Sequence, residues 1–152
     1  MLILKDTREK NGWDFEGQDI TVANRKLDTG DYTVEGIEEE FVIERKATVA
    51  EIAQNITTKW FKEEVKRMAG FRHAFFIFEF SWRDIEIFPV NSTIPSHLWK
   101  KIRISNRFLI SCINTYRLKY GIQCITADRP EYAESVAFDL MKRYYENRNR
   151  SD

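Results

Sequence analysis

Two acidic side chains and a lysine near the start of the chain have the types and spacing to hold a divalent cation and act on a water beside it. Phe41-Val42-Ile43-Glu44-Arg45-Lys46 reads as a strand, in which side chains alternate between faces. Glu44 and Lys46 therefore share one face and Arg45 points to the other. A carboxylate and an ammonium side by side at a strand end can bind a divalent cation and polarise a water. Asp31 lies 13 positions before Glu44, room for one tight return strand, and Gly30 permits the turn that precedes it. Folded back as a hairpin, Asp31 approaches Glu44, and two hard oxygen donors beside a lysine outline a Mg²⁺ site. Taken alone, Glu44 and Lys46 better fit an exposed ion pair, worth about 0–1 kcal/mol.

The surrounding pattern supplies the elements that would position these groups. Leu2 to Asp6 and Ile20-Thr21-Val22 read as strands. Asp31–Val34 and Phe41–Lys46 would pair across Gly36 and the acidic run Glu38-Glu39-Glu40, which reads as a solvated turn. Thr48-Val49-Ala50-Glu51 fits a capping box opening a long helix that stops at Gly70. Its stripe of Val49, Ile52, Ala53, Ile56, Trp60 and Met68 faces the core and takes Trp60 with it. Residues 74–80 are almost wholly apolar, as suits a strand covered on both faces. Ser81 to Pro95 reads as a connection with a short helix or turn. Ser96–Ile102 and Asn106–Tyr120 read as helices, the second with a stripe of Phe108, Cys112, Tyr116 and Tyr120, ended by Gly121. A strand over Ile122–Thr126 precedes a last helix that opens at Asp128-Arg129-Pro130-Glu131. That helix carries Tyr132, Val136, Leu140 and Tyr144 on one face, and a polar tail begins near Asn147. Strands interleaved with helices predict an α/β three-layer sandwich, a central mixed β-sheet flanked by helices.

At 152 residues the chain fits one domain, bounded at 1–148 with 149–152 as tail, and can bury about two-thirds of its unfolded surface. No apolar run of about 18 residues is present, so no transmembrane helix is expected. Cys112 and Cys124 read as two buried thiols of a reducing compartment. With two histidines, a zinc site is not expected. Net charge is zero but unevenly spread: residues 1–40 hold 5 basic and 11 acidic side chains, residues 41–152 hold 19 and 13. A phosphate-binding face can therefore coexist with overall neutrality. Lys100, Lys101, Arg103 and Arg107 are the stronger DNA-contact candidates. Lys59, Lys62, Lys66 and Arg67 also cluster, and Trp60 and Trp99 are aromatics able to stack on bases.

Gly30-Asp31…Glu44-Arg45-Lys46 resembles the GD…ERK signature of the XPF-family nucleases, a branch of the PD-(D/E)XK superfamily. Asp6-Thr7-Arg8-Glu9, at the end of the first strand, is similar to that family's D-x-R-E, and Phe75-Phe76-Ile77-Phe78-Glu79 to its central apolar strand. An E-x-K alone is weak, but these motifs in order on strand-like contexts are strong together. The resemblance implies a restriction-endonuclease-like fold and a Mg²⁺-dependent, structure-specific DNA endonuclease acting near flaps, forks or junctions in repair or recombination, with Mn²⁺ able to substitute. It implies Asp31 and Glu44 as metal ligands, with Asp6 a further acid, and Lys46 orienting the attacking water or steadying the transition state. Arg8 and Arg45 belong to the motif as possible phosphate forks, equally readable as salt bridges to an acid such as Glu9. Glu9 is a weaker catalytic candidate. One departure stands out: the family continues ERK with three residues and an aspartate, and that position is Ala50. Glu51, one further along, reads as a cap.

The resemblance also implies a homodimer, with the apolar faces of Asn106–Tyr120 and Tyr132–Tyr144 as candidate surface, and leaves room for a separate DNA-binding partner. The tandem helix-hairpin-helix module that usually accompanies such domains is absent from this sequence. That fits a catalytic domain cut from a larger protein or a stand-alone nuclease of the kind phages and mobile elements encode. A cytoplasmic location is expected, nuclear if the source is eukaryotic. The alternatives are another PD-(D/E)XK enzyme, such as a Holliday-junction resolvase or restriction-type nuclease, and a non-catalytic DNA-binding subunit.

Overall fold

The computed structural model describes residues 1–150. Its centre is a six-stranded mixed sheet of β1 (Leu2–Lys5), β2 (Thr21–Asn24), β3 (Tyr32–Val34), β4 (Phe41–Lys46), β5 (His73–Phe78) and β6 (Gln123–Thr126), ordered β2-β1-β3-β4-β5-β6. The β3–β4 hairpin and the β1–β3 pair are antiparallel, while β4–β5 and β5–β6 are parallel. Parallel pairing requires a crossover. β1 and β2 are also parallel, joined without a helix; of the two helical crossovers, α1 (Val49–Asn55) and α2 (Lys59–Met68) make the first. The second contains α3 (Trp82–Glu86), a 3₁₀ turn over Ser96–Lys101, and α4 (Asn106–Tyr120). Helix α5 (Pro130–Arg150) ends the described chain, running through residues expected to be a polar tail.

Alternation along β4 sorts its side chains into two cores. Val42 packs with Ile52, Phe61, Val65, Leu109 and Ile113, the layer of α1, α2 and α4. Phe41 and Ile43 pack with Trp13, Tyr32, Ala133, Ala137 and Met141, the layer of α5. Helices on both faces of a mixed sheet form the expected three-layer sandwich. β5 is apolar on both sides because Phe76 and Phe78 enter the first core while Phe75 and Ile77 enter the second. The hairpin that holds the candidate chemistry lies at the middle of the sheet.

Three helical expectations need correction, each for a physical reason. The helix from Thr48 to Gly70 is two helices. Thr58 interrupts it, donating its hydroxyl to the Asn55 carbonyl (2.6 Å) and accepting the Phe61 amide (3.3 Å) as the cap of α2. The restart shifts the helical phase, so Phe61 is fully buried while Trp60 is 54% exposed. In α4 the buried residues are Leu109, Ile113 and Tyr116, with Phe108 exposed. In α5 they are Ala133, Ala137 and Met141. Small alanines let that helix approach the sheet closely, and the bulkier Val136, Leu140 and Tyr144 flank the seam rather than form it. Cys112 and Cys124 are free and half-buried, and burial pushes the Cys124 thiol up to about 12.

Candidate active site

Gly30 sets the geometry. Its φ of +76° lies in the left-handed region, and a Cβ there would stand 2.2 Å from Val42 Cγ2 and 3.0 Å from the Ile43 carbonyl oxygen. Only glycine lets the turn lie this close against β4. Asp31, the next residue, is fixed through its backbone: its amide donates to Ile43 (2.8 Å) and its carbonyl accepts from Asp6 (2.8 Å). The side chain is aimed by the Arg45 amide, which donates to Asp31 Oδ2 at 2.8 Å.

Glu44 is buried on the same side of the sheet as Val42, and its Oε1 accepts from Lys46 Nζ at 2.9 Å. Lys46 Nζ also donates to Asn55 Oδ1 (3.1 Å), lies 3.8 Å from Glu51 Oε1, and sits over the Phe61 ring, 5.1 Å from its centroid. Glu51 does cap α1, but with a one-residue offset: its amide donates to Thr48 Oγ1 and its Oε2 accepts from Ala47. Ala50, at the position of the family's aspartate, is buried in the α1 core.

The electrostatics follow from burial of like charges. Burial raises Asp31 well above the usual carboxylate range, and nearby Glu44 raises it further. Burial also raises Glu44; the Lys46 ion pair offsets part of this, while Glu64 and Glu51 add to it. For Lys46, burial alone would lower the ammonium, but Glu44, Glu51 and Asp31 outweigh it and hold the group above the ordinary lysine value. Two carboxylates that resist ionising together, with a lysine that stays charged, fit a site completed by a cation.

The other motif residues are placed as follows. Asp6 accepts from the Arg8 amide (3.0 Å), Arg8 Nε (2.7 Å) and the Leu27 amide (2.8 Å). Burial would raise it, but these bonds prevail and its pKa is lowered. Arg8 also donates to the Leu27 carbonyl at 2.8 Å, though its side chain is largely exposed. Arg45 points to the opposite face. Its Nε and Nη2 grip Glu79 at 2.6 and 3.1 Å, and Nη1 reaches Glu9 at 3.2 Å. Trp13 Nε1 completes that network on Glu79 at 2.8 Å. Lys100, Lys101, Arg103 and Arg107 are all exposed, on the 3₁₀ turn, the link that follows it and the start of α4.

A cleft of about 340 Å³ opens on Asp31 and Glu44, with Asp6, Arg8, Glu9 and Gly30 on one side and Trp60, Glu63, Glu64 and Arg67 of α2 on the other. From sequence, Arg67 was offered as a DNA contact and Trp60 as a core residue able to stack on a base, while Glu63 and Glu64 were not singled out. Glu64 is buried and accepts the Gly30 amide at 2.6 Å, while its other oxygen takes Arg67 Nη2. Arg67 Nε in turn donates to Thr29 Oγ1 at 3.2 Å. The sequence signal for Glu64 was its interval within α2: Phe61, Val65 and Met68 mark the buried face, and Glu64 falls among them. Among the described residues, no three or more His, Cys, Asp or Glu side chains converge as a ready-made metal cage.

The mixed sheet flanked by helices, with a GD turn packed against an ERK strand, is the restriction-endonuclease-like fold of the XPF nucleases. Residues 5–138 match the ERCC4 domain family model, and the chain belongs to that family. Among solved structures, "XPF from Aeropyrum pernix" superposes with a TM-score of 0.70 at 19% identity, covering 95% of this chain and 65% of that one. "XPF from Aeropyrum pernix, complex with DNA" gives 0.69 at 20% identity, covering 96% and 66%. The chain thus spans just under two-thirds of the length of those structures. No curated protein sequence matches it. Among the described residues, no helix is long and apolar enough to cross a membrane.

Proposed function

We propose that this domain is a Mg²⁺-dependent endonuclease that cuts DNA near flaps, forks or junctions, in repair or recombination. The observation that supports it best is the meeting of Asp31 and Glu44 on one cleft, with the Lys46 ammonium bonded to Glu44 at 2.9 Å. The donor set suits Mg²⁺, which is commonly held by one or two carboxylates while waters and substrate phosphate oxygens complete its shell. Mn²⁺ would substitute at the same oxygens. A cation there would supply Lewis-acid polarisation of the phosphate and acidify a bound water.

The chain's own residues divide the remaining work. Asp31 and Glu44 would hold the cation, Asp31 with its carboxylate oriented by the Arg45 amide. Asp6 is committed to Arg8 and two amides, so it adds negative field and rigidity more than a free donor. Lys46, paired with Glu44, would supply positive charge toward the reacting phosphate. Arg8 and Arg67, exposed at the cleft rim, suit phosphate contacts. Arg45 supports the strand from the opposite face and reaches Glu9, which also lines the cleft. Lys100, Lys101, Arg103 and Arg107 offer a further contact region for the DNA backbone.

We further propose a homodimer. Phe108 and Leu118 of α4 and Tyr132 of α5 are exposed large apolar residues, and an interface through them would bury them. Incision of labelled flap, fork and plain duplex DNA in Mg²⁺, Mn²⁺ or EDTA tests the reading. Metal-dependent cutting that favours the branched substrates is expected. DNA binding without any cutting would instead assign the chain as a non-catalytic partner subunit.

A further inference from the structure

Trp60 has no place in either core. It is 54% exposed, although its helix neighbours Phe61, Val65 and Met68 are buried. Isolated exposed apolar side chains are common on protein surfaces, but this one stands on the wall of the cleft that contains Asp31 and Glu44. Its position is also fixed. Thr58 caps the first turn of α2, and Trp60 meets the fully buried Phe61 edge-on, with centroids 5.7 Å apart. Phe61 is in turn the ring beneath Lys46. The indole thus borders the ring that lies beneath the lysine.

The cations around it suit a nucleic-acid strand. Lys62 is exposed on the same helix, as is Lys59, which lies 3.9 Å from Glu63 of the cleft lining; Arg67 and Arg8 stand on the two walls of the cleft, exposed though paired with Glu64 and Asp6. An aromatic face among exposed cations is the arrangement by which proteins take up unpaired bases, the ring stacking on the base and the cations following the phosphates. A base within a duplex already has both faces covered and cannot use such a ring.

Building on the nuclease reading, we infer that Trp60 is a specificity-determining residue: it stacks on one unpaired base next to the scissile phosphate and so favours DNA with a single-stranded element at the cut.

The test measures binding by fluorescence anisotropy in the non-cutting Glu44→Gln background, with Trp60 intact, Trp60→Ala or Trp60→Phe. The probes are a labelled duplex with a single-stranded arm, the same DNA with one abasic site walked along that arm, and a plain duplex. Trp60→Ala should weaken binding to the armed DNA about tenfold or more, leave plain duplex within about twofold, and be largely rescued by Trp60→Phe. One abasic position should reproduce the loss, and Trp60→Ala should then add nothing on that probe. Equal losses on both DNAs, no loss, or losses independent of the abasic position would overturn the inference. Incision by the chain with native Glu44, on the same probes, separates the two ideas. Cutting without coupling between Trp60 and an abasic position sinks the stacking role alone. Coupled binding without cutting keeps the stacking role and sinks the nuclease reading. Thermal melting of Trp60→Ala should match the parent, since the side chain is mostly exposed.

Discussion

Glu64 offers a sharp test of how the candidate site is held, because it is a buried acid whose main partner is the backbone amide of Gly30. Its Oε1 accepts the Gly30 N–H at 2.6 Å, and its other oxygen binds Arg67. Glu64→Ala leaves that amide without a partner in a buried setting, a loss of about 1–3 kcal/mol. The Arg67 pair adds little, since about half of the arginine side chain is exposed and solvent screens it. Removing the Glu64 charge also relieves Glu44, which its proximity raises, so the net loss should stay near 2 kcal/mol, or about 4–8 °C in Tm for a domain of this size. Glu64→Gln retains an amide oxygen for Gly30 and should recover most of that loss. Both variants, followed by urea unfolding and thermal melting, decide the matter. Equal destabilisation by Ala and Gln would show that charge, not the bond to Gly30, matters. An Ala variant within about 0.5 kcal/mol of the parent would refute the tether altogether.

Arg45→Met strands Glu79 and Glu9, whose partner is nine-tenths buried; breaking such a pair should cost about 3–5 kcal/mol, and denaturant unfolding measures it. Gly30→Ala forces a methyl group into Val42 in a left-handed conformation; a loss above about 3 kcal/mol is expected from strain and overlap together, and a loss under 1 kcal/mol would show that the turn yields. Asp31→Asn keeps an oxygen for the Arg45 amide and removes one of two crowded charges. The sign follows from proton uptake. Asp31 and Glu44 have raised pKa values when folded, so the folded state holds more protons than the unfolded state just above the ordinary carboxylate range, and metal-free stability falls as pH rises through that window. In EDTA, Asp31→Asn should flatten this fall and melt higher than the parent at pH 7–8; a lower melting temperature there would contradict the like-charge account.

The fold was largely legible because its evidence is local and periodic. Alternation over Phe41–Lys46 located β4 and the faces of Glu44, Arg45 and Lys46, and the unbroken apolar run marked β5. Gly30 before Asp31 identified the turn, although its contact with Val42 could be known only from the fold. The failures came where local chemistry changed the helical phase or small side chains took the seam. Thr58 restarts the helix and turns Trp60 outward, and a periodicity count has no term for that cap. In α5 the seam is Ala133 and Ala137, which weigh less in a reading of hydrophobicity than the larger residues beside them. Glu64 was missed because a carboxylate on a charged helix reads as solvent-facing, and only tertiary structure places the Gly30 amide above it. The Arg45–Glu79 grip likewise joins residues 34 positions apart, beyond the reach of any local pattern.

The most direct test is the single-turnover rate of Mg²⁺-dependent incision of a flap or fork by the parent chain, Glu44→Gln and Lys46→Ala, with binding of the same DNA measured alongside. If Glu44 holds the cation and Lys46 stabilises the reacting phosphate, each substitution should slow incision by at least about a hundredfold while binding changes by only a few fold. Incision that persists near the parent rate in both variants would place the chemistry elsewhere and contradict the account.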